Sequence, residues 1–144
     1  MEKVKLQAQY GLYINGQWRN ASDGATYNAE SPADGSHLAV CAQGSREDVE
    51  AASAAAWEAF KTWKKTTPAQ RAALLNKIAD IIDANKEHLA MVESMDNGKP
   101  IRETMNVDIP MAAEHFRYFA GCILAEEGQA SVLNEQFLSI IVRE

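Results

Sequence analysis

Two cysteines, three histidines and one Gly-Lys step are the residues of this chain whose types could carry chemistry. A thiol beside an imidazole makes a nucleophile–base pair, and several of either make a metal site, but only where the groups converge. Cys41 and Cys122 have neither metal-ligand nor redox spacing, and their apolar or small neighbours suit inert buried thiols. His37, His88 and His115 are scattered, so each reads first as an ordinary core or surface histidine. Gly98-Lys99 lacks the frame of a phosphate loop, because Glu93 replaces the first glycine and Pro100 the hydroxyl residue. No G-x-G-x-x-G occurs either. These residues alone name no reaction.

The elements that must position them are clearer. Leu12-Tyr13-Ile14 and Gln17-Trp18-Arg19 flank Asn15-Gly16, a two-residue hairpin signal in which both turn positions take positive φ. Ser22-Asp23-Gly24 is a second turn. Thr26 to Glu30 reads as a strand stopped by Ser31-Pro32 and turned at Ala33-Asp34-Gly35, and His37 to Ala42 as its return.

A helical period then takes over. Ser45 with Asp48 caps a helix whose stripe is Val49, Ala52, Ala56, Ala59, Phe60 and Trp63. Thr67-Pro68-Ala69-Gln70 opens a second helix, with Leu74, Leu75, Ile78, Ile81 and Ile82 inward. Asn85 restarts the helix with Leu89, Val92 and Met95 inward, and Asn97-Gly98 ends it in a left-handed cap. A last helical stretch runs from about Ile101 to Ala125 and closes at Gly128, with a kink or break expected near Pro110. The stripes of Phe60/Trp63, Leu74/Ile78/Ile82 and Phe116/Phe119 are expected to share one core. Phe137 to Val142 reads as a strand, uncharged and of high β-propensity, the composition of an edge that recruits another strand.

Composition sets the outer bounds. At 144 residues, 47% hydrophobic and 24% charged, the chain has the balance of a soluble domain. Its net charge of −6 argues against a nucleic-acid partner. Met1-Glu2-Lys3-Val4-Lys5 opens no secretory segment, and no run is long enough to span a membrane. Free thiols in a reducing cytoplasm are the expectation.

Several phrases resemble the NAD(P)-dependent aldehyde dehydrogenases. Leu12 to Trp18 looks like the opening hairpin of that family, and Ser31-Pro32-Ala33-Asp34-Gly35 resembles its Asn-Pro-x-x-Gly turn with serine for asparagine. Arg46-Glu47-Asp48-Val49 and the alanine-rich run to Phe60 and Trp63 match its first helix. Asp96-Asn97-Gly98-Lys99-Pro100-Ile101-Arg102-Glu103-Thr104 is the most specific piece. With Asp108-Ile109-Pro110 and His115 to Gly121, it is similar to the bacterial branch acting on small aliphatic aldehydes. Ser139 to Glu144 resembles the segment before the family's Pro-(Ile/Val)-Gly-Val.

The resemblance implies an α/β fold of which this segment is the mostly helical start, with an N-terminal β-hairpin region and a C-terminal strand. It places residues 1–130 in the N-terminal part of a dinucleotide-binding domain. Residues 131–144 would be the first strand of an oligomerisation arm, its hairpin partner following Glu144, and 137–142 would join copies into a homo-oligomer. The activity implied is oxidation of an aldehyde to a carboxylic acid with NAD or NADP, in a polypeptide several times longer. A cysteine thiolate attacks the aldehyde, hydride passes to the nicotinamide, and a glutamate activates the water that hydrolyses the thioester. Those residues and most cofactor contacts are expected beyond Glu144, so Cys41 and Cys122 carry no nucleophile role. The isolated chain is expected to be inactive and to bind no cofactor.

One site residue carries over. Asp96 matches an aspartate that, in some members, holds Na+ or K+ with backbone carbonyls, here those of Ala29 and Glu30. An acid in the last turn of a helix opposes the dipole and favours a nearby cation, a role Lys99 or Arg102 could fill instead. A stand-alone binding or assembly module without chemistry is the alternative to the enzyme segment.

Overall fold

The structure, a computed structural model, describes residues 4–141; Met1, Glu2 and Lys3, together with Val142, Arg143 and Glu144, lie outside the described residues. Five short strands open the chain: β1 (Gln9–Tyr10), β2 (Leu12–Ile14), β3 (Gln17–Arg19), β4 (Thr26–Glu30) and β5 (His37–Ala42). Asn15 at φ 53° and Gly16 at φ 77° make the tight turn between β2 and β3, and Tyr13 and Trp18 pack across it with ring centroids 5.1 Å apart. β4 pairs antiparallel with β5, and β1 adds to the far side of β5 in parallel. No periodicity marks β1, because two residues are too few to show alternation. Gly11 separates β1 from β2 where any Cβ would stand 2.6 Å from the Arg19 carbonyl oxygen, so only glycine fits.

Three long helices follow: α1 (Arg46–Trp63), α2 (Pro68–Ala84) and α3 (Lys86–Asn97). Both expected capping boxes are present, Ser45 with Asp48 and Thr67 with Gln70. Gly98 ends α3 at φ 79°. A single turn, α4 (Ile101–Glu103), leads into a π-helical turn (Thr104–Asp108) and then α5 (Ile109–Leu124). The break expected near Pro110 is this π turn, in which the Ile109 N–H donates to the Thr104 carbonyl. Pro110 has no N–H for the carbonyl of Asn106, and its ring crowds the preceding turn open.

The core differs from the one the stripes suggest. Its fully buried apolar residues are alanines, among them Ala72 and Ala79 of α2, Ala90 of α3, and Ala113 and Ala120 of α5. Small side chains let α2 and α5 approach closely. Phe60 and Trp63 are 42% and 44% exposed, and Leu74, Ile81 and Phe119 are exposed too. The physical reason is a lack of cover. α1 meets little more than β2, where Ala52, Ala55, Ala56 and Ala59 line a shallow cleft with Tyr13 and Ile14. Thr104 is fully buried, and its hydroxyl donates to the Ala90 carbonyl at 2.9 Å, which pins the π turn to α3.

Two boundaries at the end of the chain move. α5 stops at Leu124, four residues before Gly128, which keeps a negative φ and is no cap. Phe137–Ile141 forms β7 as expected, but a strand precedes it: β6 (Gln129–Asn134) pairs with β7 antiparallel. β7 is therefore the second strand of a hairpin, and its partner comes before it. Every residue of both strands is exposed.

Candidate functional site

The site begins at the C-terminal end of α3. A Cβ on Gly98 would lie 3.0 Å from the Pro32 side chain, so the turn after β4 seats directly against the cap of α3. That contact brings the end of β4 to the last turn of α3. Asp96 and Ala29, 67 residues apart in sequence, line one cavity of about 450 Å³, together with Leu38, Cys41, His88 and Val92. β4 is an edge strand, and its ladder with β5 shifts register between Ala29 and Glu30. Backbone carbonyls on the open edge of β4 have no strand to accept from. The side chain of Glu30 is exposed and takes no part in the lining.

The two side-chain cations considered for Asp96 are engaged elsewhere. Lys99 donates to Asp108 at 2.9 Å and stands 3.9 Å from Glu93; the Asp108 hydrogen bond foremost holds its ammonium above the ordinary lysine range. Arg102 pairs with Glu103 at 2.9 Å. Among the described residues Asp96 makes no ion pair. Its charge is felt by Tyr27, which faces Cys41 across the β4–β5 ladder. Cys41, by charge and then by hydrogen bond, raises the Tyr27 hydroxyl above its usual pKa; burial and Asp96 add to the shift.

The other candidates stay apart. His37 is exposed on β5, and His115 and Cys122 are exposed on α5. No group of three or more His, Cys, Asp or Glu side chains could hold a metal ion among the described residues. A dinucleotide does not fit these residues either. The free N–H groups at the start of α1 and α2 are taken by their own caps, so neither terminus offers them to a phosphate. Sequence reasoning missed Tyr27, which only the ladder register places beside Cys41. It saw Asp48 only as a cap, although that carboxylate is buried and also accepts from Ser22 and Arg19.

Known proteins supply the class to which this arrangement belongs. The model of the aldehyde dehydrogenase family matches residues 18–144, and the chain belongs to that family. It is 46% identical over 137 residues to a long-chain-aldehyde dehydrogenase of an Acinetobacter species, covering 95% of this chain and 27% of that protein. It is 42% identical over 141 residues to an acetaldehyde dehydrogenase of Pseudomonas aeruginosa, covering 98% of this chain and 28% of that one. Among solved structures, the NAD+ complex of aldehyde dehydrogenase from Bacillus cereus superposes with a TM-score of 0.86 at 36% identity. That match covers 90% of this chain and 27% of the other. A putative aldehyde dehydrogenase from Burkholderia cenocepacia gives 0.89 at 37% identity, covering 93% and 27%. The chain thus spans little more than a quarter of the relatives it matches.

Proposed function

We propose that the chain is the N-terminal, supporting part of an aldehyde dehydrogenase that oxidises a small aldehyde to its carboxylic acid with NAD or NADP. One observation carries this over the stand-alone module. The chain exposes 11,024 Å² at a mass of 15.8 kDa, where a compact monomer exposes about 7,300 Å². The excess includes Trp57, Phe60 and Trp63 of α1 and Phe119 of α5. Faces of that kind need cover that the described residues do not supply, which supports their packing against further protein.

On this reading, residues 1–130 belong to the dinucleotide-binding domain and 131–144 to the oligomerisation arm, with 137–142 joining copies into a homo-oligomer. The exposed hairpin of β6 and β7 supports that assignment, and the hairpin itself begins two residues before the boundary, at Gln129. Relatives named for a long-chain aldehyde and for acetaldehyde match at 46% and 42%, so chain length of the substrate is not selected in this part of the sequence. No helix is long and apolar enough to cross a membrane among the described residues, and a cytoplasmic enzyme is the reading in keeping with that.

The metal proposal is a monovalent ion, Na+ or K+, on the Asp96 carboxylate and the backbone carbonyls of Ala29 and Glu30. The Asp96–Ala29 approach, the open edge of β4 and the negative end of α3 all support it. The DNA following codon 144 tests the enzyme reading. A continuing frame that encodes Pro-(Ile/Val)-Gly-Val and, later, the nucleophilic cysteine is expected. A stop codon directly after Glu144 would favour the module.

A further inference from the structure

The cavity shared by Asp96 and Ala29 is larger than an alkali ion requires. His88, Val92 and Asp96 recur at steps of four, so one face of α3 runs along it, about 12 Å from the first to the last. Leu89 and Val92 fill the middle of that face, and Leu6 and Leu38 stand among the other walls. Its volume of about 450 Å³ is that of a small-molecule site, mostly apolar with a few polar groups. Asp96 supplies an unpaired carboxylate at one end.

We propose that this groove binds a linear primary alkylammonium ion. The ammonium group meets Asp96 and the alkyl body lies along Leu89 and Val92 towards His88. The inference rests on the reading of Asp96 as a cation site and names an organic ion as its occupant. An alkali ion gains nothing from leucine walls, whereas an alkyl chain leaves water for them. The carboxylate distinguishes this ligand from a neutral alcohol of the same length. Lys5 is a like charge in the lining and makes no ion pair with Asp96, so it opposes the ammonium from a distance.

A titration of n-hexylammonium chloride into the ¹⁵N-labelled chain at constant ionic strength tests this, with hexan-1-ol and potassium chloride as parallel arms. Saturable shifts of the amides of residues 38–41 and 88–96 are expected from hexylammonium. Asp96→Asn weakens that binding by about tenfold, and Lys5→Gln tightens it by about two- to threefold. Hexanol binding as tightly as hexylammonium, or Asp96→Asn binding like the wild type, overturns the proposal. Potassium shifting the amides around Asp96 while hexylammonium does not would overturn it and leave the alkali-ion reading standing. If neither cation moves those amides, both readings fall.

Discussion

Asp48 accepts the backbone N–H of Ser22 at 3.0 Å while its other contacts close the cap of its own helix, including the N–H of Ser45 at 3.0 Å. Arg19 donates to the second carboxylate oxygen at 3.1 Å. One buried side chain thus ties β3, the turn after it and α1 together. The Ser22 N–H foremost, then that of Ser45, holds this carboxyl below its ordinary pKa; burial opposes them, and the Ser45 hydroxyl and Arg19 assist.

A carboxyl depressed in the folded state stabilises the fold above its unfolded pKa, and that contribution is lost as pH falls through the folded value. Wild-type stability should therefore decline below about pH 4. Asp48→Asn should be less stable at neutral pH and show a flatter decline. Urea midpoints across that range check this, and parallel curves for the two proteins would remove Asp48 from the account.

The alanine core gives a second expectation. Ala79→Leu must overpack the contact of α2 with α5 and costs about 1–3 kcal/mol. Ile81→Ala, on an exposed residue of the same helix, costs under about 0.5 kcal/mol. Thr104→Val leaves the shape but removes the hydroxyl bond to Ala90, a loss of about 1 kcal/mol. Chemical denaturation midpoints rank the three; a larger cost at Ile81 than at Ala79 would reverse the burial described.

Thermal stability tests the monovalent-ion proposal. Exchange of potassium or sodium for tetramethylammonium at equal ionic strength should lower the midpoint of the wild type. An ion at ten times its dissociation constant stabilises by about 1.4 kcal/mol. Asp96→Ala should lose the dependence. The same response in both proteins would leave Asp96 without an ion.

The hairpin presents two unlike faces. Ala130 pairs with Ile140 and Val132 with Leu138 on one face, while Ser131 meets Ser139 on the other. Self-association through the apolar face is expected, so Ile140→Lys should reduce it far more than Ser139→Lys. Sedimentation velocity at several concentrations measures this. A wild-type chain that stays monomeric throughout would count against the arm as an interface.

Local chemistry made much of this fold legible. Asn15-Gly16 announced its hairpin, Ser45 and Thr67 their helix starts, and Gly98 the end of α3, because each signal acts within a few residues. Long-range facts were not written that way. Phe60 and Trp63 keep a helical step, yet a stripe says only that a face wants cover, not what supplies it. β1 and β6 were missed because one is too short and the other too mixed, Gln129 to Asn134, for alternation to stand out. Asp96 was singled out by resemblance and by its place against the helix dipole. Its approach to Ala29 depends on Gly98 meeting Pro32, which no local pattern encodes.

The central claim is that these residues support an aldehyde dehydrogenase without performing its chemistry. Absorbance at 340 nm, followed with the purified chain, propanal and NAD+ or NADP+, tests it most directly. No accumulation of reduced nicotinamide above the protein-free rate is the result expected. Accumulation in proportion to the amount of chain would contradict the claim.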